Sequence, residues 1–248
     1  MVVLGIDEYY FIISQSAYVI INLILCGLFF GKYRQHKMVE LVHFGFTFLL
    51  LGITALGWVI SFFTILTIGI PLADSVIYLT FSPFFFSLMF FLFGFVSLIS
   101  MEKRLILFTK LSAIAISSIM FLIYITVWFI SPEMLATTEE GIFTTWSLLV
   151  SSLILISSII MLFTASVFVY QCFKTDNAEI RLKGKLLLIG IITTAISGIA
   201  VIGVSLTTGL LNLVILTIFV HGFRMIGGVF LYVGFTLPLW IRKIALSE

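Results

Sequence analysis

The sequence predicts an all-α membrane protein, a single domain over residues 1–248 built as a bundle of seven transmembrane helices with the N-terminus outside and the C-terminus cytoplasmic. Three observations carry that expectation. The chain is 62% hydrophobic and only 10% charged, with a mean hydropathy of +1.30, against roughly one-quarter charged residues in soluble domains. Apolar runs of the about 20 residues needed to cross a hydrocarbon core about 30 Å thick fill nearly all of it. Its basic residues gather in alternate loops, as cytoplasmic loops do.

The expected spans lie near residues 9–31, 39–66, 76–100, 105–130, 143–172, 185–208 and 213–241. All are continuously apolar, without the alternation of barrel strands, and a backbone without water must satisfy its polar groups inside helices. The first span follows "MVVLGIDEYY", a start with two acids and no basic residue. It reads as an uncleaved helix that is both signal and anchor. The loop "GKYRQHK" leads to the second span, and "TIGIPLAD" to the third, which contains "FSPFFFSLMFFLFGF" at residues 81–95. There Pro83 predicts a kink, because proline removes one helical donor and crowds the preceding turn. "SMEKR" introduces the fourth span, "SPEMLATTEEG" reads as a loop before the fifth, and residues around 173–185 read as a solvated turn before the sixth. None of these loops has room for a kinase, cyclase or DNA-binding module, so nucleic acid is not an expected partner.

One side of the membrane receives Lys32, Arg34, Lys37, Lys103, Arg104, Lys110, Lys174, Arg181, Lys183, Lys185, Arg242 and Lys243, twelve of the thirteen basic residues. The other side carries Asp7, Glu8, Asp74, Glu133, Glu139 and Glu140 with no Lys or Arg. That asymmetry sets the predicted orientation and places the chain as a multi-pass protein of the cell membrane. Cys26 and Cys172 fall toward the reducing side, where no disulfide is expected. A three-one-three tandem build is left open: an offset of 140 residues superposes the basic loops, Thr54 and Ala55 on Thr194 and Ala195, and Gly94 and Phe95 on Gly234 and Phe235.

Arg224 is the one basic residue that no cytoplasmic loop explains. An arginine at a helix centre costs about 2.5–3.5 kcal/mol on insertion scales, and intramembrane charges usually face the bundle interior. The side chain can instead snorkel to the outer headgroups, which needs no function. We read it as inward-facing. No acid lies in mid-span, so its expected partners are the outer-end acids or a bound anion, for which a guanidinium fork is suited. Counting outward from Trp240 puts His221 and Arg224 in the outer leaflet, with Trp58 and Tyr78 at comparable depth. His221, Arg224 and Gly228 are spaced for one helix face. Gly222, Gly227 and Gly228 are read first as tight-packing positions. The candidate ligand-binding residues are therefore Arg224, His221, Gly228, Trp58 and Tyr78.

Other chemistries lack their residues. Only His36, His43 and His221 are present, too few for a metal-dependent hydrolase, and His43 and His221 count to opposite leaflets, which removes a haem clamp. Ser197 in "AISGIA" has no identifiable base, and the last span has no lysine for a retinal Schiff base. Neither an enzymatic activity nor a cofactor is expected. Transport would call for helix-breaking residues at corresponding positions in the two halves, and Pro71, Pro83, Pro132 and Pro238 do not correspond.

The closing stretch "RMIGGVFLYVGFTLPLWIRK", residues 224–243, resembles the last helix of the seven-helix sensor regions at the N-terminus of some archaeal and bacterial histidine kinases. The likeness rests on a Gly-rich final span and an aromatic-Pro-aromatic-basic exit at Phe235, Pro238, Trp240 and Arg242. It implies a receptor or sensor whose signal passes to a separate cytoplasmic or membrane protein, since no kinase module follows. The expected function is thus a seven-transmembrane receptor or sensor with an outer-leaflet pocket for an anionic or amphipathic small molecule or lipid. The alternatives are a three-one-three small-molecule transporter and an accessory membrane subunit without its own ligand.

Overall fold

The computed structural model describes residues 5–99, 102–139, 143–207, 211 and 214–246. Seven helical stretches in it are long and apolar enough to cross a membrane. Helix α1, Ile6–His36, ends where Lys37 takes a left-handed conformation and its N–H donates to the Tyr33 carbonyl at 2.7 Å. Helix α2, Val39–Ile68, ends at Gly69, whose φ of 75° is the left-handed C-cap that glycine adopts without steric cost. The third span is two helices, α3 (Asp74–Phe81) and α4 (Phe84–Leu98), because Pro83 lacks the donor needed to continue the ladder. Helix α5 is Lys103–Ile130.

The residues between the fourth and fifth spans are not a plain loop. A 3-10 turn at Pro132–Met134 leads into an antiparallel hairpin, β1 (Ala136–Glu139) with β2 (Phe143–Trp146), in which Ala136 pairs with Trp146 and Thr137 with Thr145. The predicted fifth span therefore starts too early. Helix α6 is Leu148–Phe173, capped by the Ser147 hydroxyl, which accepts from the Val150 N–H. Helix α7, Ala178–Leu206, begins seven residues before the predicted sixth span because the Asn177 side chain accepts from the N–H groups of Glu179 and Ile180. Much of the expected solvated turn is thus helix. In the seventh span a π-helix, Ile215–Gly222, follows the helical Val214 and continues as α8, Phe223–Thr236. It stops at Leu237, which has a φ of 36° and precedes Pro238; a separate helix α9, Leu239–Leu246, follows. The predicted ends at residues 100, 208 and 213 fall outside the described residues.

The principal helix contacts form a ring: α1 on α2, α2 on α3 and α4, α4 on α6, α6 on α7, α7 on α8, and α8 with the π-helix back on α1. Helix α5 lies outside it against α3 and α4, with Leu107, Phe108, Leu111 and Leu122 exposed on its surface. The closest backbone approach is between α7 and α8, where a Cβ on Gly190 would lie 2.9 Å from the Gly227 carbonyl and a Cβ on Gly227 would lie 2.9 Å from the Gly190 carbonyl. Small residues let helices meet where lipid supplies no hydrophobic drive.

One half of the ring, toward the basic ends of the helices, is filled by phenylalanine. Phe44 lies 4.3 Å from Phe235, 5.2 Å from Phe95 and 5.8 Å from Phe29 between ring centroids, and Phe91 lies 4.7 Å from Phe95. Phe29, Phe44 and Phe95 are completely buried. The half nearer the N-terminus is built differently and holds the candidate site.

Candidate functional site

The seventh span places Arg224 as its tenth described residue, near the middle of Ile215–Thr236 and not close to an end. Trp240 belongs to α9, beyond the break at Leu237 and Pro238, and is 63% exposed.

Arg224 turns into the bundle. Its Nε donates to the Ser197 Oγ of α7 at 3.3 Å, and its guanidinium carbon lies 5.8 Å from the centroid of the Tyr18 ring on α1, a cation–π distance. Ser197 is fully buried and donates its own proton to the Thr194 carbonyl at 2.8 Å, so its lone pairs are free to accept from Arg224. No ion pair to Arg224 forms among the described residues, whose two salt bridges join Glu179 to Lys183 and to Arg242. Glu140 and the side chains of Asp7 and Glu139, expected among its partners, lie outside the described parts.

His221, one turn earlier in the π-helix, is 5% exposed and stacks at a tilt on Tyr18, with centroids 5.5 Å apart. Neither of its ring nitrogens has a hydrogen-bond partner among the described residues. The Tyr18 hydroxyl and the Gln15 Oε1 are likewise unpartnered among the described residues. Gln15 and Tyr18 are 3% and 1% exposed. Buried polar groups are nearly always hydrogen-bonded, and one left unpaired costs about 1–3 kcal/mol. Three such side chains around one cation in mid-bundle are therefore a local anomaly that asks for an occupant.

They surround a cavity. Its lining comes from Phe11, Gln15 and Tyr18 on one stripe of α1, Thr54, Ala55 and Trp58 of α2, Phe81 of α3, Thr144 and Trp146 of β2, and Ile154 of α6. Val201 and Val204 of α7, Leu216, Val220 and His221 of the π-helix, and Arg224 complete it. Every segment of the ring contributes except α4, and α5 does not. The space open to the centre of a water-sized sphere is about 40 Å³, room for about three waters.

The hairpin roofs this chamber. The Trp58 indole N–H donates to the Thr144 hydroxyl at 2.9 Å, and Trp146 packs on Trp58, Tyr78 and Phe81 at centroid distances of 5.8, 5.9 and 4.4 Å. Tyr78 donates to the Ala136 carbonyl at 3.2 Å, and Tyr124 donates to the Tyr78 carbonyl at 2.7 Å. Toward the basic ends, the chamber gives way to the phenylalanine-filled half.

Of the five residues expected from sequence, Arg224, His221 and Trp58 line the chamber. Tyr78 backs its roof and lines a separate groove with Asp74 and Glu133. Gly228 faces elsewhere: a Cβ there would meet Leu25 at 2.9 Å and Phe48 at 3.0 Å, so its role is close packing against α1 and α2. The π-helix shifts residues before Phe223 off the spacing assumed for a continuous α-helix. Gln15, Tyr18 and Thr144 were missed, and Ser197 was weighed only as a nucleophile without a base. A stripe at Phe11, Gln15 and Tyr18 with two polar members was a readable signal on α1, and "FTTW" beside "ATTE" carried the β-branched residues of a hairpin.

Comparison with models of known protein families, with curated proteins and with solved structures returned no match to this chain. The functional argument therefore rests on the geometry of the chamber.

Proposed function

We propose that this protein is a seven-transmembrane receptor or sensor of the cell membrane whose mid-bundle chamber binds a small anionic ligand, with Arg224 as its counter-charge. The observation that carries the reading is an inward guanidinium with a single hydrogen bond, to Ser197, and no carboxylate paired with it among the described residues. Arg224 is half-buried inside the bundle with no opposite charge beside it among the described residues, and an anion held by its free N–H groups would supply that charge. In this reading the acid-bearing end is extracellular and the twelve clustered basic residues are cytoplasmic. The signal passes to a separate protein through the seventh span. Its π-helix is the element a ligand would bias, because His221 and Val220 sit on it and Arg224 follows directly after it. π segments often occur at functional sites, and the ligand must bind one of two packings better to shift them.

The test is thermal unfolding of the purified full chain in lipid nanodiscs, with propionate and inorganic phosphate as probes. At least one should raise the unfolding temperature of the native chain and leave Arg224→Leu unmoved. A native chain indifferent to both, or a leucine variant that responds equally, would end this reading.

A transporter of three-one-three build is the second reading, and a specific observation favours it. Under the 140-residue offset the break at Ser82 and Pro83 in the third span falls on the junction at Gly222 and Phe223, where π-helix becomes α-helix in the seventh. The contact of α1 with α8 likewise mirrors that of α4 with α6, and α5 lies outside the ring as a linker would. Accumulation of labelled propionate in proteoliposomes would select this reading over a sensor. The phenylalanine filling beyond the chamber favours the sensor.

A further inference from the structure

Resting on the anion-binding reading above, the unpaired atoms of the chamber specify its ligand more narrowly. The free N–H groups of Arg224 and the Tyr18 hydroxyl can donate to an anion. Gln15 Oε1 only accepts, and a neutral His221 imidazole has one donor and one acceptor nitrogen. Gln15 Oε1, Tyr18 OH and both His221 nitrogens are buried and unpartnered among the described residues, and all three side chains line the chamber with Arg224. A simple carboxylate would satisfy the donors and leave Gln15 Oε1 and one His221 nitrogen orphaned. A ligand that brings a donor of its own would meet them directly.

That donor is neutral. Among the described residues the chamber lining holds one cation and no Asp or Glu, so a ligand of charge −1 balances it. A zwitterion would leave the net charge uncompensated and would bury an ammonium with no carboxylate beside it, which is costly. The remaining walls, Phe11, Val201, Leu216 and Val220, suit a short hydrocarbon body. The available space of about 40 Å³ for water-sized centres, widened by a water radius, holds roughly half a dozen non-hydrogen atoms. We infer that the chamber, roofed by the hairpin, is a site for a small hydroxy-monocarboxylate. Its carboxylate sits against Arg224 and Tyr18, and its hydroxyl donates to Gln15 or His221.

Racemic lactate and propionate differ by that single hydroxyl, and alanine replaces it with an ammonium. Affinities for the purified full chain in nanodiscs, read from calorimetry or from concentration-dependent thermal shifts, should rank lactate about tenfold tighter than propionate, as expected when a buried acceptor is otherwise left unpaired. Alanine should be the weakest of the three. Gln15→Leu, which keeps bulk and removes the acceptor, should reduce the lactate preference while propionate binding persists. Should that variant fail to fold, Gln15→Met gives the same comparison, and the lactate-to-propionate ratio on the native chain decides alone. Equal affinity for lactate and propionate, or alanine binding as tightly as lactate, overturns the hydroxy-acid assignment and leaves the anion reading standing. No binding by lactate, propionate or phosphate overturns both.

Discussion

The two halves of the ring use the same helices to opposite ends. Toward the basic ends, α1, α2, α4 and α8 contribute Phe29, Phe44, Phe95 and Phe235, which interlock with ring centroids 4.3–6.3 Å apart. Toward the N-terminus, α1, α2, α7 and the seventh span contribute Gln15, Tyr18, Thr54, Ser197, His221 and Arg224 around a void. Helix association in a membrane draws on packing and hydrogen bonds, because lipid tails are as apolar as the side chains. The phenylalanine half supplies packing to the full. The chamber half carries unmet polar groups, a local conflict of the kind expected where function has been favoured over stability. Truncating a packed ring in the phenylalanine half and removing an unpaired polar group from the chamber half should therefore change stability with opposite sign.

The largest effect is expected from Phe44→Ala. Phe44 is completely buried among Phe29, Phe91, Phe95 and Phe235. Little water-to-oil transfer is at stake when the unfolded helices remain in lipid, so the cost is chiefly the void. At about 24 cal/mol per Å³ and roughly 100 Å³ removed, that is about 2 kcal/mol, readable by denaturant unfolding in mixed micelles. A loss under half of this would mean that the block is loosely packed and the contrast between halves is unfounded.

His221→Leu should act in the other direction. It removes two buried nitrogens without partners and keeps an apolar side chain of comparable size, so stability should rise by about 1 kcal/mol. The same variant should lose the preference for lactate. Destabilisation by a similar amount would show His221 to be a satisfied structural residue, and the chamber would lose its strongest support as a ligand site.

Thr144→Val tests the roof. It leaves the buried Trp58 N–H without the hydroxyl that accepts from it at 2.9 Å, a loss of about 1 kcal/mol. Since the hairpin covers the chamber, dissociation of a bound probe should also quicken. Unfolding measurements and stopped-flow tryptophan fluorescence would read the two effects separately. A stability change with no change in release rate would make the hairpin a brace and remove its role as a cover.

These expectations depend on features of unequal visibility in the sequence. Seven apolar stretches were legible because each must exceed the thickness of a bilayer, and Pro83 announced its own break through a missing donor. Arg224 was legible because its charge is anomalous amid apolar neighbours. The hairpin left only its β-branched residues to be read, because residues 136–146 are short and partly polar and are held in place by Tyr78 and Trp58, 58 and 86 residues away along the chain. Gln15 and Tyr18 share a polar stripe on α1 that could be read, but what it faces emerges only when α1 is set against the seventh span. Gly228 misled for a related reason, since the spacing that groups it with Arg224 takes no account of Leu25 and Phe48 pressing on its face. Long-range pairing decides these cases, and local periodicity does not contain it.

The smallest effect sharpens the contrast from the basic side. Glu179 at the start of α7 meets Lys183 at 3.0 Å and Arg242 of α9 at 3.4 Å, and all three side chains are partly exposed. Such pairs are worth about 0.2–1 kcal/mol and weaken with salt. Glu179→Gln should therefore cost no more than about 0.5 kcal/mol at low salt and nothing measurable near 1 M, where screening acts within about 3 Å. Because Arg242 joins α9 to α7, the freed helix should show as a shift in the emission of Trp240 even where unfolding is unchanged. A salt-independent cost above about 1 kcal/mol would mean that charge pairing, as well as aromatic packing, holds the basic half together. The division between a packed half and a polar half would then have to be redrawn.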